Sequence, residues 1–326
     1  MPRIDNSILD CVVYLYGTES DARSGVRWGG SGFLFGVESD PPTDGYWHIY
    51  VVTNSHVARE APIIRLNTVD GDSDLIIRQK NDWSHHPDGD DIAVCLITDD
   101  LPSGKYRFRF VADGYRMMQP LLNALNIGPG DEVFTAGRLV DDDDKQTNAP
   151  IVRFGHIAMK PSMVIHPSGL RLESFLVEMV SLSGFSGSPV FVYLTRTVDF
   201  LSEERKRLPE QLTGPWLLGI DWGHFPVWRE VMDADRNRLP ERDRIQVELN
   251  SGLMAVAPAW KLWELLESEA LMTERKAKDK ERRDKPHIVL DSEQQDFTRK
   301  DMQDALRKVS RRRPKPSEPD SSSSGT

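Results

Sequence analysis

Three short segments hold the residue types that nucleophilic catalysis requires. They are VVTNSHVA with His56, DDIAVCLI with Asp91 and SGFSGSPVFV with Ser186. A serine hydroxyl is a weak nucleophile at neutral pH and needs a neighbouring base, and an imidazole base needs a carboxylate that fixes its tautomer and stabilises its charged form. We therefore predict that these three residues form one catalytic set.

Glycines flank the serine of this set. Gly184 and Gly187 lie on either side of Ser186, and Pro189 follows. Because glycine lets the backbone turn sharply, the N–H groups of Gly184 and Ser186 can converge on a developing oxyanion.

The segment HHPDGDD, residues 85–91, raises two alternatives. Asp90 competes with Asp91 for the carboxylate role, but the alternation of DIAVCLI favours Asp91 at the edge of a strand and leaves Asp90 solvated. The histidines and aspartates are also metal-ligand types, yet their spacing matches no specific site. We predict a polar turn here, with no metal and no cofactor.

Short apolar or alternating runs, separated by Gly, Pro, Asp and Asn, fill residues 9–260 and are typical of strands. Two series of six strands are expected, and each is predicted to close into a barrel because closure removes exposed edges. The first series is predicted near residues 9–16, 32–37, 48–53, 63–67, 75–79 and 92–97, and the second near 132–139, 151–159, 172–179, 189–195, 217–221 and 253–256.

The C-terminal part has a different character. AWKLWELLESEALM has an apolar stripe that predicts a helix over about 258–272. Residues 273–326 are rich in charge, Pro and Ser, and we predict a largely disordered tail. Residues 271–326 carry 15 basic and 11 acidic side chains within a chain of net charge −10. The tail is therefore where we expect an activating or regulatory protein partner, whereas the acidic body argues against nucleic acid.

Cysteine content and hydropathy bear on location. The only two cysteines, Cys11 and Cys95, form no disulfide framework, so a reducing compartment is permitted. The N-terminal apolar run is too short for a secretory signal, and no window approaches a membrane span. We predict a cytoplasmic protein without a membrane contact.

The motifs resemble those of the trypsin-like, chymotrypsin-fold serine peptidases, especially bacterial and intracellular members of the HtrA and glutamyl-endopeptidase types. GSGFLFG, TNSHV, DIAV, GFSGSPVF and LLGIDWG occur in that family's order, and the resemblance covers about residues 9–270. It implies an all-β fold of two six-stranded antiparallel barrels, with the active site in the cleft between them. Barrel one would span about 9–100 and barrel two about 130–258, within a peptidase domain of residues 1–270 that has no PDZ domain.

The resemblance also implies roles for single residues in a serine endopeptidase that acts on protein or peptide substrates. His56 would be the general base and then the general acid, Asp91 its orienting partner and Ser186 the nucleophile, with the oxyanion held by the N–H groups of Gly184 and Ser186. Asp221, Trp222 and Gly223 resemble the strand that pairs with the substrate. Val180 falls near the floor of the specificity pocket, where the absence of a carboxylate favours a small or apolar side chain before the cut.

Two features depart from the family pattern and leave an alternative open. Phe185 stands where secreted members carry the aspartate used in zymogen activation. Charged insertions at about 198–213 and 224–250 would flank the cleft. The alternative is a catalytically silent or partner-gated module with a protease-like fold, which acts through its insertions and its basic tail.

Overall fold

The computed structural model describes residues 4–25, 29–40, 46–139, 146–166, 168–181, 183–194, 214–232 and 245–283. Both cysteines are buried and free. Most of the predicted tail and all of the first predicted insertion lie outside the described residues. The segments concerned are 198–213, 233–244 and 284–326.

The first half of the chain forms an eight-stranded sheet. Its strand order is β5-β4-β1-β2-β3-β7-β6, with β8 paired in parallel to β2 and the other pairs antiparallel. The strands are β1 (Val12–Tyr16), β2 (Gly29–Glu38), β3 (Trp47–Thr53), β4 (Ile63–Asn67), β5 (Ser73–Ile76), β6 (Ser84–His85), β7 (Ala93–Leu96) and β8 (Val111–Ala112).

The second half forms a closed barrel with the order β10-β11-β14-β13-β12-β9. Its strands are β9 (Glu132–Gly137), β10 (Ile151–Ile165), β11 (Arg171–Glu178), β12 (Pro189–Val192), β13 (Trp216–Glu230) and β14 (Gln246–Pro258). Helices connect or follow these strands: α1 (Glu19–Ser24), α2 (Ser55–Glu60), α3 (Gln119–Ala124), α4 (Ala259–Leu266) and α5 (Glu269–Arg283), with 3-10 helices at Asn6–Cys11, Lys80–Asp82, Thr98–Asp100 and Asp113–Tyr115.

The predicted all-β class is confirmed, and the second barrel closes with the predicted six strands. The first half differs in detail from a closed six-stranded barrel. Its hydrogen-bonded order ends at β5 and β6, which are only four and two residues long and do not pair with one another within the described part of the chain. The start of the first predicted strand is also corrected, because residues 9–11 belong to a 3-10 helix.

The side chains of a strand alternate between two faces, and this alternation distributes them between different buried clusters. Along β1, Tyr14 belongs to one buried cluster, whereas Val13 and Leu15 belong to another, as expected when successive side chains point to opposite faces. The first of these clusters also contains Phe33 and Phe191, which come from the two halves of the chain. The two halves therefore contribute side chains to one shared apolar cluster.

The barrel's last two strands extend as a hairpin beyond the closed region. Pairing continues from Pro226 and Asn250 to Glu230 and Gln246. The two strands are thus longer than the predicted 217–221 and 253–256, and they contain most of the described residues of the predicted insertion at 224–250. The polar and charged residues of this stretch obscured the alternation.

The C-terminal helix α5 continues past the predicted end of the helical region at residue 272 and reaches Arg283. It packs on the first sheet through buried polar groups. Arg275 Nη1 donates to Tyr50 Oη at 3.3 Å, and Asp279 Oδ1 lies 2.8 Å from His48 Nε2. The first part of the predicted tail is therefore a docked helix. No helix in the described part of the chain is long and apolar enough to cross a membrane.

Candidate active site

A strand-to-helix junction positions His56. β3 ends at Thr53, and α2 begins at Ser55, with Asn54 as its N-cap. Asn54 Nδ2 donates to the Asp91 carbonyl at 2.9 Å, and Ser55 Oγ donates to the Ile92 carbonyl at 2.9 Å. These two bonds attach the start of α2 to the segment that enters β7, and so bring His56 and Asp91 together.

Asp91 contacts His56 through both carboxylate oxygens. Oδ2 lies 2.6 Å from His56 Nδ1, and Oδ1 accepts a hydrogen bond of 3.0 Å from the His56 backbone N–H. Because that N–H belongs to the first turn of α2, the carboxylate also satisfies a helix N-terminus. The proton of His56 is thereby fixed on Nδ1, which leaves Nε2 as an acceptor on a side chain that is 43% exposed.

The charge balance of this pair follows from burial and hydrogen bonding. Burial alone would lower the pKa of His56, but the hydrogen bond and charge of Asp91 outweigh it, and the pKa is raised above 6.5. Burial favours the neutral form of Asp91 and alone would raise its pKa. Hydrogen-bond donors from His166 and His56 nevertheless hold that pKa well below its usual range. Asp91 is therefore ionised near neutral pH, as a partner of an imidazolium must be.

The turn that carries Ser186 is hydrogen-bonded to both halves of the molecule. Ser186 accepts a backbone hydrogen bond of 2.9 Å from Ser31, and Gly187 donates one of 2.8 Å to Asp221. A Cβ placed on Gly30 would lie 2.6 Å from Val57 Cγ1 and 3.0 Å from the Ser186 oxygen. Only glycine at position 30 therefore lets the serine turn approach the residue that follows His56.

The two glycines around the serine have positive φ angles. Gly184 has φ 95° and Gly187 has φ 88°, a region that side chains with a Cβ rarely adopt. The Gly184 carbonyl accepts a 2.7 Å hydrogen bond from Ser31 Oγ. The N–H groups of Gly184 and Ser186 donate no backbone hydrogen bond to any described residue.

The four residues predicted to bind substrate have different environments. Val180 is 39% exposed, whereas Asp221 is fully buried, with its carboxylate bound by Ser181 Oγ and the Gly223 N–H. Burial raises the pKa of Asp221 to about 7. Trp222 is buried and donates from Nε1 to Ser174 Oγ at 3.0 Å, while a Cβ on Gly223 would meet open space. Substrate contact by these residues stays a prediction.

Asp90 differs from its predicted solvated state, because it is buried. It lies 3.4 Å from His86 Nδ1 and 3.6 Å from Lys261 Nζ, and Lys261 Nζ is also 2.9 Å from Glu264. His86, Asp90 and Glu264 are close enough together to hold a cation. The ammonium group of Lys261 already supplies the positive charge between the two carboxylates, so the cluster is explained as an ion-pair network without a metal.

His166 is a member of the site that sequence reasoning missed. Its Nε2 lies 3.5 Å from Asp91 Oδ2, and its ring centroid lies 4.7 Å from that of Trp222. The residue follows β10 directly, and the surrounding sequence IHPSG has the composition of an ordinary turn. No pattern in the chain signals the contact, because the length of the β10–β11 hairpin sets it.

No protein-family model and no curated protein matches this sequence. Among solved structures, the chain is similar to the MamO protease domain from Magnetospirillum magneticum in its apo form, at 15% identity and a TM-score of 0.43 over 81% of this chain and 99% of that one. It is also similar to the HtrA-type protease AlgW with a tripeptide, at 14% identity and a TM-score of 0.44 over 80% of this chain and 60% of that one.

A third similar structure is the Rv3671c protease from M. tuberculosis in an inactive form, at 14% identity and a TM-score of 0.40 over 79% of this chain and 88% of that one. All three proteins are described as proteases.

Proposed function

We propose that this chain is a serine endopeptidase that uses His56 as its base, Asp91 as the partner of that base and Ser186 as its nucleophile. The observation that carries the proposal is the two-point contact between Asp91 and His56, at 2.6 Å and 3.0 Å. This contact fixes the tautomer and orientation of the imidazole and leaves Nε2 as the acceptor of a side chain that is 43% exposed, while Gly30 lies close to both Val57 and the Ser186 carbonyl. A structural histidine does not need this exposure.

The proposed reaction uses only groups of the chain and water. His56 Nε2 takes the proton of Ser186 Oγ as the oxygen attacks the carbonyl carbon of the peptide bond. When the tetrahedral intermediate collapses, the same proton goes to the leaving amine, and an ester between Ser186 and the acyl part of the substrate remains. A water molecule then attacks this ester while His56 takes its proton. The second tetrahedral intermediate collapses as His56 returns that proton to Ser186 Oγ, which releases the acid product and restores both residues.

Two backbone N–H groups are proposed to stabilise the oxyanion. Those of Gly184 and Ser186 donate to no described backbone acceptor, and the positive φ of Gly184 sets the direction of the loop. Donors that are already oriented before the reaction stabilise negative charge more effectively than water that must reorient. The half-exposed Val180, whose side chain is apolar, supports cleavage after a small or apolar residue.

Labelling with a fluorophosphonate probe tests the proposal. We expect the purified full-length protein to be labelled, and Ser186→Ala to lose the label completely because the attacking oxygen is gone. Ser183→Ala is the matched control, since Ser183 is an exposed serine of the same loop and should keep the label. Peptide mapping should locate the adduct on Ser186, with cleavage of casein lost in parallel.

The outcome also separates the proposal from the partner-gated alternative. Absence of labelling in the purified protein at every pH from 6 to 9 would contradict an enzyme that is active alone. Labelling that appears only after cell extract is added, and that requires Ser186, would support gating by a protein partner. An activating partner at the tail and a cytoplasmic location stay predictions.

A further inference from the structure

The carboxylate of Asp91 is shared by two imidazole rings. His56 Nδ1 lies 2.6 Å from Oδ2, and His166 Nε2 lies 3.5 Å from the same oxygen. The Asp91 side chain is only 6% exposed, so these rings, rather than water, form most of the polar surroundings of Oδ2. The proton-transfer chemistry proposed above uses one of these rings and gives the other no role.

A tight turn between β10 and β11 sets the position of His166. The His166 N–H donates to the Leu170 carbonyl at 2.8 Å, and the Gly169 N–H donates to the His166 carbonyl at 2.8 Å. The ring is 12% exposed and packs against Trp222, which Ser174 holds through the indole N–H. Both the backbone and the ring are therefore fixed before any substrate binds.

The same turn fixes the tautomer of His166. The Ser168 backbone N–H donates to His166 Nδ1 at 3.1 Å, and Ser168 Oγ lies 2.8 Å from that nitrogen. Since Nδ1 accepts a hydrogen bond, the ring proton of the neutral form is on Nε2. That proton faces Asp91, so the ring presents a donor to the carboxylate whether it is neutral or charged.

We propose that His166 is a positioning residue of the catalytic set: its Nε2–H binds Asp91 Oδ2 and divides this oxygen between two imidazoles. The inference rests on the proposed function, because it treats His56 as the base. The longer contact gives His166 the smaller share. Its effect is to keep the Asp91 carboxylate ionised and fixed in place while limiting how strongly that carboxylate binds the protonated form of His56.

Because His166 also binds Asp91, the pKa of His56 should be lower than it would be if His56 were the only ring bound to that carboxylate. The other charged groups that act on His56 are Glu60 and Asp221, and His85 interacts with Asp91 from β6. None of these contacts involves His166, so they are the same with or without its ring. Removal of the His166 donor, without admission of water, should therefore raise the pKa of His56.

Two substitutions separate the donor from the ring. His166→Phe keeps a ring against Trp222 and excludes water from Asp91 but has no donor, whereas His166→Gln keeps a donor at the corresponding distance along the side chain. A purely packing role predicts that Phe resembles the wild type. A donor role predicts that Gln does, because only Gln can still bind Oδ2.

The experiment is an NMR titration of the His56 imidazole in full-length protein with labelled histidine, with the signal assigned through His56→Gln. For His166→Phe we expect the titration midpoint to rise by about half a pH unit, and for His166→Gln to stay within about 0.2 unit of the wild type. The pH at which fluorophosphonate labelling of Ser186 is half-maximal should move in the same direction. A midpoint in His166→Phe that equals the wild-type value would overturn the proposal.

This readout distinguishes failure of the inference from failure of the proposed function. The NMR midpoint reports the link between Asp91 and His56 even in a protein that no probe labels. If the wild type is labelled but neither variant changes the midpoint, only the role of His166 is wrong. If labelling never depends on Ser186, the endopeptidase proposal fails while the midpoint still measures the shared carboxylate.

Discussion

Two of the histidine–aspartate contacts in the described part of the molecule are shorter than 3 Å, and their environments differ. At the proposed active site, His56 Nδ1 is 2.6 Å from Asp91, and on the opposite end of β3, His48 Nε2 is 2.8 Å from Asp279 of α5. The side chain of His56 is 43% exposed, whereas that of His48 is 0% exposed. Nearly equal distances therefore occur at one partly exposed histidine and at one that is sealed from solvent.

The difference reverses the direction of the pKa shift. Burial lowers the pKa of His48 despite Asp279, and the nearby Arg275 and Lys278 act in the same direction as burial. His48 Nδ1 is buried without a partner among the described residues, so a proton added there would have no acceptor. At His56, Asp91 outweighs burial and raises the pKa. A short contact with a carboxylate therefore raises the pKa of a histidine only where burial and neighbouring cations do not outweigh it.

The largest expected effect comes from removing the charge of each aspartate. Asp91→Asn should lower the rate of fluorophosphonate labelling by about 10³- to 10⁴-fold, because an amide stabilises the wrong tautomer of His56 and cannot stabilise its charged form. Asp279→Asn should leave the rate within about two-fold of the wild type, since it touches only the sealed pair. Equal losses in the two variants would mean that the two pairs do not differ in function.

The next effect concerns stability. Asp279→Ala should lower the free energy of unfolding by about 1–3 kcal/mol, because it leaves His48 Nε2 buried without a partner. Chemical denaturation of the full chain measures the change. Lys280→Ala on the same helix is the control and should be close to neutral, since Lys280 is exposed. An unchanged midpoint in Asp279→Ala would show that α5 does not depend on this pair for docking.

The smallest expected effect is a difference in pH dependence. The folded pKa of His48 is below 6.5, so its contribution to stability is complete above pH 6.5 and is lost as the pH falls below that value towards the folded pKa. For His56 the folded pKa is above 6.5, so its contribution is complete below pH 6.5 and is lost as the pH rises through the folded pKa. His48→Gln should therefore weaken the fall in melting temperature between pH 7.5 and 5, and His56→Gln should make that fall steeper. The same slope change in both variants would contradict the opposite shifts.

Much of this arrangement is predictable from the sequence. Short apolar runs identify the main strands, and β4 begins and ends at the predicted residues 63 and 67. The motifs around His56, Asp91 and Ser186 indicate nucleophilic catalysis, because this mechanism needs all three residue types and each residue lies beside a strand. These signals come from residues that are close together in the sequence, so they do not depend on contacts with distant parts of the chain.

The remaining features depend on contacts between distant residues. The sequence of α5 is typical of a solvated charge run, because its buried positions include Arg275 and Asp279. The burial of these two residues is stabilised by partners in another element. The only sequence signal is their spacing of four on the face that begins at Leu271, which is buried as well. His166 gives no signal at all, since 75 positions separate it from Asp91.

The strand β3 links the two pairs compared above. His48 lies near its beginning, and His56 follows its end by three residues. α5, the last described element of the chain, holds the first of these positions after the second barrel has been completed. The chain thus passes from the first half to the second and then returns to contact the first, so the two halves are linked by the backbone before β9 and by the docked helix α5 after β14. A single cut in the segment between the halves would sever the chain but leave this second, non-covalent connection in place.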